Sequence, residues 1–503
     1  MSHRRALVLG ALAASLCLPS TAFGIDEVNT KKLRDAVTVN GILQHERALQ
    51  QIANLNGGTR ASGTPGFEAS LQYVKGRLRA AGYKVREQEF TFPFFRELAP
   101  ATLAQTAPTP QDYETATFDY SGSGDVTAPL QEVDVDFPPP DEAGTSDSGC
   151  EASDFADFEE GNVALVQRGF CNFSVKVENA VAAGASAVII FNEGQEGRTD
   201  LFVGTLGEPF DVPVVGLSFA DASALHSQLA GGPVTVHVTT STESDVNAKT
   251  KNLIADSGSG DADQTVVVGA HLDSVVAGPG INDNGSGTST VLEIAEAIGE
   301  KHMKPRRALR FAFWGAEESG LLGSEHYVST LSSGALGQIY ANLNFDMVGS
   351  PNYVRFVYDG DGSDTETAGP PGSAQIENVF TRYFAGAGLA TDPTAFDGRS
   401  DYGPFIAVGI PAGGLFSGAE GVKTPEQAAV YGGTAGVAYD QCYHQACDTV
   451  NNLSTAALNE LGDGAAHATW TLAKSKSGLY EDGSRRAARD KSRVNAFNGA
   501  EGR

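Results

Sequence analysis

Two hydrophobic periods alternate along the second half of the chain. Residues 266–270 form an unbroken apolar run, which is the pattern of a strand covered on both faces. Apolar residues within 291–298 recur at the spacing of one helix face, and those within 309–313 alternate as in a further strand. The apolar run at 339–345 predicts another strand. Residues 243–473 are therefore expected to form an α/β domain, with a mostly parallel sheet flanked by helices.

The segment 25–110 combines a helix with extended chain. Apolar residues recur at helical spacing over 71–81, and Gly82 follows where such a helix would end. A strand rich in aromatic residues is expected over 85–94, followed by a connection over the Pro- and Thr-rich stretch 100–110.

The segment 111–242 contains short strand-like runs separated by helical stretches, without a convincing cluster of acid–base side chains. The strand-like runs are 163–167, 187–191, 212–217 and 234–240, and the helical stretches are 175–183 and 220–229. The pattern predicts a β-rich accessory module. The stretch GNVALVQRGFCNF at 161–173, with 176–188 after it, resembles the protease-associated domain inserted in many exopeptidases and receptors. This resemblance implies a smaller α+β domain inserted into the larger one.

The N-terminus has the pattern of an export signal. Arg4 and Arg5 precede an apolar run over 6–18, and Gly24 is the expected cleavage position. Cys17 follows a bulky residue, where a lipoprotein signal requires a small one. The mature protein is therefore expected outside the cell or in the periplasm, and we find no other apolar segment long enough to span a membrane.

The length of the chain indicates how many domains it has, and its charge excludes some classes of binding partner. A chain of 503 residues is longer than one hydrophobic core usually supports, which favours two domains. It has 35 Lys and Arg residues against 62 Asp and Glu residues, a net charge of −27, which argues against a nucleic-acid partner or an anionic membrane surface. From about residue 474 the chain is polar and charged, and 474–503 is expected to be a flexible tail.

Four cysteines remain after the predicted leader: Cys150, Cys171, Cys442 and Cys447. An even number in an exported chain indicates disulfides. Three pairings are open, and proximity favours joining the first two and the last two. A four-cysteine zinc site is the competing interpretation, but neither pair has CxxC spacing.

Metal-capable side chains follow three predicted strands. His271 and Asp273 come after the first, Glu317 and Glu318 after the second, and Asp346 after the third. Because the carboxyl ends of parallel strands meet at one edge of a sheet, we expect these side chains to converge.

Two further residues complete this candidate site. Asp283 lies in a glycine-rich turn before the predicted helix, and His444 lies between Cys442 and Cys447, where a disulfide would hold its imidazole still. Imidazole and carboxylate are zinc ligands, and a catalytic zinc keeps a position open for water. Residues two apart in an extended chain point the same way, so Asp273 can accept the second ring N–H of His271.

Five motifs in order resemble the secreted bacterial zinc aminopeptidases with two co-catalytic metals. The similarity covers about 243–473 together with TRASGTPG at 59–66. The motifs are GAHLDS at 269–274, GINDNGSG at 280–287, FWGAEESGLLGS at 313–324, NFDMV at 344–348 and YH at 443–444.

The resemblance implies a role for each site residue. Asp283 would bridge two Zn²⁺ ions, with His271 and Asp346 completing one site and Glu318 and His444 the other. Glu317 would be the general base, Asp273 would orient His271, and Tyr443 would donate a hydrogen bond to the oxyanion. In one branch of the family an arginine in GRSD contacts the substrate, and Arg399 matches it. Many relatives have His next, where this chain has Tyr402. A cis peptide between Asp283 and Asn284 is also implied.

The resulting hypothesis is a monomeric aminopeptidase that hydrolyses the N-terminal bond of peptides or proteins, using a water held between the metals. Apolar first residues are expected, because no obvious partner for a charged side chain adjoins the site. The alternatives are a carboxypeptidase or dipeptidase, a glutaminyl cyclase on a related fold, and a non-catalytic receptor. A carboxypeptidase would need basic residues for the substrate carboxylate, a cyclase uses one zinc, and receptor-like relatives lack ligands.

Overall fold

The computed structural model describes residues 25–480 as a mixed α/β domain with a smaller domain inserted into it. The predicted signal peptide, 1–24, and residues 481–503 of the predicted tail lie outside the described residues. The helices are α1 Lys31–Arg34, α2 Val39–Leu55, α3 Pro65–Ala80, α4 Phe173–Ala182, α5 Phe219–Leu229, α6 Gly287–Glu300, α7 Leu322–Thr330, α8 Ser333–Gln338, α9 Ser373–Gly386, α10 Gly403–Ala407, α11 Pro425–Tyr431 and α12 Thr455–Lys474. The strands are β1 Lys84–Ala107, β2 Gln111–Tyr113, β3 Gly124–Glu132, β4 Val163–Gln167, β5 Ala187–Phe191, β6 Val214–Leu217, β7 Thr235–Asp256, β8 Asp261–His271, β9 Arg307–Trp314, β10 Ile339–Phe345, β11 Phe356–Tyr358, β12 Asp392–Thr394 and β13 Ala412–Phe416.

The strands pair in the order β12-β11-β13-β10-β8-β9-β7-β3-β4-β5-β6, and β1 pairs with β7 and β2. The central strands β13, β10, β8 and β9 run parallel, whereas β7 is antiparallel to β9. This confirms the predicted α/β fold with a mostly parallel sheet. Because β8, β9 and β10 are neighbours, the residues that follow them lie at one edge.

Helices cover both faces of the central strands, which explains the unbroken apolar runs. In β8, Val266 and Val268 belong to a core that also contains residues of α3, α6 and α12. Val267, between them, packs on the opposite face with Tyr327 of α7 and Phe405 of α10. All three valines are fully buried, and burial of one such side chain contributes about 1.5–3 kcal/mol.

Helix α3 has the expected start and end signals. The Thr64 hydroxyl accepts a hydrogen bond from the backbone N–H of Phe67, and Pro65 occupies the first turn. Gly82 lies just past the last turn with φ of 91°, a backbone conformation that favours glycine. The predicted helix over 71–81 therefore corresponds to the second half of a longer helix.

The inserted domain has its own two-sided core. Strands β3, β4, β5 and β6 pair in parallel, and α4 lies between β4 and β5 in the chain. In β5, Ile189 and Phe191 pack on one face with Leu225 of α5, whereas Ile190 packs on the other face with Val177 of α4. A disulfide joins Cys150 to Cys171, one of the two pairings favoured by proximity.

The predicted connection over 100–110 is wrong for most of its length. Strand β1 continues through Ala107 beside β7, and these two strands run from the main domain into the inserted one. Pro100 lies where the register shifts between the pairs Ala99–Ser241 and Thr102–Thr239. A β-bulge tolerates proline because it needs no regular ladder hydrogen bond, so the strand passes through this Pro-containing segment.

The start of the predicted tail, residues 475–480, is packed rather than free. The Arg307 guanidinium donates to the Ser475 carbonyl at 2.8 Å, and the backbone N–H of Leu479 donates to the Tyr340 hydroxyl at 2.8 Å. Leu479 and Tyr480 are 1% and 5% exposed. The polar composition of the surrounding residues gave no indication that Leu479 and Tyr480 are buried. Across residues 25–480, no helix combines the length and apolar character needed to cross a membrane.

Candidate active site

The parallel strands bring the predicted acids and one imidazole to a common edge. His271 is the last residue of β8, Glu317 and Glu318 lie in the loop after β9, and Asp346 directly follows β10. His271 is 1% exposed and Glu317 is 5% exposed. The convergence expected from the sequence is therefore present.

The Asp283 carboxylate lies between two imidazoles. Its Oδ1 is 3.2 Å from Nε2 of His271, and its Oδ2 is 3.2 Å from Nε2 of His444. Each imidazole also faces one further acid: Asp346 Oδ1 lies 3.3 Å from His271 Nε2, and Glu318 Oε2 lies 3.1 Å from His444 Nε2. Ligand atoms about 2.0–2.2 Å from a tetrahedral zinc are separated by roughly 3.3 Å, so each of these four imidazole–carboxylate distances has the spacing of zinc donors.

The electrostatics of the cluster also suit cations. The Asp346 Oδ1 atom is buried and accepts no hydrogen bond within the described part of the chain. Burial raises the pKa of Glu317 well above its usual range, against the opposing charge of His271. Burial alone would lower the pKa of His444, but the adjacent carboxylates of Glu318 and Asp283 raise it to about 11. Divalent metal ions would stabilise the charged form of such a buried group of carboxylates.

Asp273 adjoins His271 in a different way from the one expected. The Nδ1 atom of His271 lies 3.2 Å from the backbone carbonyl oxygen of Asp273 and 3.6 Å from its carboxylate Oδ1. The nearer acceptor is therefore the backbone. The carboxylate Oδ1 instead accepts a hydrogen bond from the backbone N–H of Glu317 at 3.3 Å. This bond links the loop after β8 to the loop after β9.

A short disulfide loop carries the second imidazole. Cys442 and Cys447 are bonded, as proximity favoured, and His444 lies between them with φ of 56°. The rings of Tyr443 and His444 stack with centroids 3.9 Å apart. Burial, reinforced by Asp283 and Glu318, raises the pKa of Tyr443 far above its usual value, so its hydroxyl keeps its proton at neutral pH.

Asp448, which the motifs did not single out, joins the disulfide loop to the Asp283 turn. Its two carboxylate oxygens accept hydrogen bonds from the backbone N–H groups of Asn282, at 2.8 Å, and Asp283, at 2.9 Å. Its backbone carbonyl accepts from Ile281 at 3.2 Å. The peptide bond between Asp283 and Asn284 is cis, as the resemblance implied. Asp448 thereby fixes the central carboxylate relative to the loop of His444.

Arg60 explains the N-terminal TRASGTPG stretch. Its guanidinium is fully buried and donates to the carbonyl of Pro279 at 2.7 Å and to those of Leu272 and Gly280. These carbonyls belong to the segment between His271 and Asp283. The carbonyls that Arg60 binds lie more than 200 residues away in the sequence, so its part in holding this segment follows only from the fold.

The GRSD segment approaches the site from the loop after β12. Ser400 donates to Asp346 Oδ2 at 2.5 Å, and burial raises the pKa of Asp401 to about 7. The Arg399 guanidinium pairs with Glu420 at 2.8 Å and lies 3.4 Å from the Tyr443 hydroxyl. Tyr402 is buried in an aromatic cluster, with its ring centroid 4.7 Å from that of Tyr358, so this departure from the family pattern packs among aromatic side chains.

A cavity of about 520 Å³ opens onto these residues. Met347, Tyr358 and Phe416 give part of its wall an apolar character, and Arg399 with Glu420 forms another part. Asp119 of the inserted domain also lines it. Both domains therefore form the space beside the candidate metal site.

The comparisons with known proteins agree with this geometry. Residues 252–469 match the model described as peptidase family M28, and residues 126–225 match the PA domain. A protein named aminopeptidase from Pseudomonas aeruginosa (strain UCBPP-PA14) is 44% identical, with 93% of this chain and 91% of that protein covered. The chain belongs to peptidase family M28.

Two solved structures extend the similarity of this M28 peptidase to the whole fold. An aminopeptidase from Aneurinibacillus sp. strain AM-1 has a TM-score of 0.67 at 27% identity, covering 90% of this chain and 98% of that one. BSAP, a zinc aminopeptidase from Bacillus subtilis, has a TM-score of 0.60 at 26% identity, covering 89% and 98%. The predicted fold, the inserted protease-associated domain and the assignment to the metallo-aminopeptidases are confirmed.

Proposed function

We propose that this M28 peptidase is an exported aminopeptidase with two zinc ions that removes N-terminal residues from peptides, preferring apolar ones. The observation that carries the proposal is the Asp283 carboxylate, whose two oxygens each lie 3.2 Å from a different imidazole. Each imidazole has its own second acid, so the donor set divides into two halves that share one carboxylate.

The proposed ligands follow from this division. His271, Asp346 and one oxygen of Asp283 would hold one ion, and His444, Glu318 and the other oxygen of Asp283 would hold the second. Bound zinc supplies a lowered pKa for water, to about 7, and polarisation of a carbonyl. Arg60, Asp448 and the disulfide loop would keep the ligands in place.

Glu317 is proposed as the general base. Glu317 is buried and lines the cavity, and its carboxylate lies 3.9 Å from His271 Nε2, so it would adjoin an ion held by His271. Burial raises the pKa of Glu317, so this carboxylate takes up a proton more readily than an exposed one. Glu317 would accept the proton of the attacking water and return it to the nitrogen of the leaving amine.

Tyr443 and Arg399 are proposed to act on the substrate. The raised pKa of Tyr443 keeps a donor at neutral pH, and its O–H would bond the oxygen on which negative charge develops. Arg399 is held by Glu420 at 2.8 Å beside that hydroxyl, where its guanidinium would contact the peptide. Because this cation is already paired, it gives little support to a carboxypeptidase.

The selectivity for a free N-terminus follows from charge. The cavity contains several carboxylates, including Glu317 and Asp346, which attract an α-ammonium group and repel a C-terminal carboxylate. The apolar wall formed by Met347, Tyr358 and Phe416 suits an apolar first side chain.

The test is release of nitroaniline from leucine p-nitroanilide by the purified mature protein. Chelation should abolish the activity, two zinc ions per chain should restore it, and Glu317→Ala should lower kcat at least about 100-fold. Glu178→Ala, at an exposed position of α4, is the control and should be as active as the wild type. Full activity after chelation would refute the zinc mechanism, and full activity of Glu317→Ala would refute its role as base.

A further inference from the structure

One wall residue of the cavity comes from the inserted domain. Asp119 lies between β2 and β3 and lines the same cavity as Glu317 and Tyr443. It is exposed to solvent, yet the surrounding protein and the nearby Glu97 raise the pKa of its carboxyl. Asp119 therefore lies in a recess of the surface.

The backbone holds Asp119 firmly. Its N–H donates to the carbonyl of Gly204 at 3.0 Å, and its carbonyl accepts from Leu206 at 3.1 Å. The next residue, Tyr120, turns the chain with φ of 69° and donates from its hydroxyl to the carbonyl of Pro93, in β1, at 3.1 Å. The position of Asp119 beside the cavity is thus set by contacts to both the inserted domain and the long strand β1.

The other acids of the cavity have partners or proposed tasks. Asp283, Glu318 and Asp346 belong to the proposed metal ligands, Glu317 is the proposed base, and Glu420 pairs with Arg399 at 2.8 Å. In Asp397, Oδ1 accepts from the Tyr402 hydroxyl at 2.7 Å. Within residues 25–480, no side chain donates a hydrogen bond to the Asp119 carboxylate or forms an ion pair with it.

We propose that Asp119 is a specificity residue that selects peptides with a cationic side chain, Lys or Arg, at the second or third position. This inference rests on the proposed aminopeptidase function. The apolar wall includes Met347, the neighbour of the ligand Asp346, so the first side chain has apolar surroundings close to the metals. Asp119 comes from the inserted domain and not from the strand ends that carry the proposed ligands, so it would face the residues after the first.

The physical basis is that the Asp119 carboxylate has no side-chain partner within residues 25–480. A Lys or Arg side chain would give Asp119 an ion pair in a recess where water screens charges less than at an open surface. A Gln side chain offers only a neutral hydrogen bond, and a Glu side chain would be repelled. A partly exposed pair of this kind changes kcat/KM by about fivefold.

The test measures leucine release by the mature enzyme from Leu-Lys-Ala, Leu-Gln-Ala and Leu-Glu-Ala, and from Leu-Ala-Lys, Leu-Ala-Gln and Leu-Ala-Glu. The wild type should favour the Lys member of at least one pair by about fivefold in kcat/KM. Asp119→Asn should bring that ratio near one, and Asp119→Lys should invert the preference towards Glu peptides. Asp112→Asn, at an exposed position of the same domain, should keep the wild-type ratio.

Activity on leucine p-nitroanilide, which has no second residue, should remain within about twofold in all variants and shows that they are folded. An active wild type that does not distinguish Lys from Gln, or a ratio unchanged by both substitutions at Asp119, would overturn the inference. Failure of the wild type to release leucine from any substrate would instead overturn the proposed function.

Discussion

Asp448→Asn should weaken zinc binding more than it weakens the fold. Both carboxylate oxygens of Asp448 accept backbone N–H bonds, from Asn282 at 2.8 Å and from Asp283 at 2.9 Å, and the side chain is 1% exposed. The amide keeps one acceptor and presents an NH₂ group to the other N–H. One buried donor then loses its partner, at a cost of about 1–3 kcal/mol.

That cost falls on the turn that holds the proposed bridging ligand. Loss of an outer partner of a metal ligand lowers metal affinity by about 10–100-fold. We therefore expect zinc to be lost from Asp448→Asn at chelator concentrations that the wild type withstands, as measured by competition with a chromogenic chelator. Added zinc should restore most of the activity.

The control is a second buried aspartate that also bonds backbone N–H groups. Asp359 accepts from Gly362 at 2.9 Å and from Thr365 at 2.6 Å, in the loop after β11. Asp359→Asn should lower thermal stability by a similar amount and leave zinc affinity unchanged. If Asp448→Asn melts lower but binds zinc like the wild type, Asp448 supports only the fold and this reasoning is refuted.

Three further predictions follow from the geometry. Tyr443→Phe should lower kcat about 10–100-fold with little change in KM, because the hydroxyl would act mainly on developing charge; an unchanged kcat would exclude that role. Replacing Cys442 and Cys447 by serine should lower zinc content and activity, because His444 loses its loop constraint, whereas serines in the disulfide of the inserted domain should affect zinc content little; equal zinc loss in both double variants would contradict this. Burial lowers the pKa of His467 to about 4, so the unfolded chain binds the extra proton first as pH falls below 6.5. Between pH 6.5 and 4, the free energy of unfolding measured with urea should fall by about 3 kcal/mol more for the wild type than for His467→Gln.

Much of the central sheet could be predicted because its signals are local. The runs 163–167 and 187–191 coincide with β4 and β5, and 339–345 coincides with β10. A strand covered on both faces must be apolar at every position, and that requirement is visible without a fold. The candidate ligands were found for a related reason: His271 and Asp346 stand at the ends of such strands, and parallel strands end at one edge.

Other features depend on contacts between distant parts of the chain. Strand β1 passes the Pro-containing stretch because β7, more than 130 residues later, pairs with it through a bulge. The Ser477 carbonyl accepts a hydrogen bond from Arg307, and Leu479 and Tyr480 both contact Tyr340. No local pattern connects these partners. The expected flexibility is wrong for residues 475–480, because composition describes an average whereas packing depends on single side chains such as Leu479 and Tyr480.

The candidate site also has features that the sequence predicts and features that depend on the tertiary structure. The sequence by itself determined which residue types could bind metal and which strand ends would carry them. Only the tertiary structure decided that Arg60 and Asp448 hold the Asp283 segment, that the backbone of Asp273 is the acceptor nearer to His271, and that Asp119 reaches the cavity. Side-chain chemistry and strand periodicity can be recognised from neighbouring residues. A hydrogen bond between residues far apart in the sequence forms only in the folded chain.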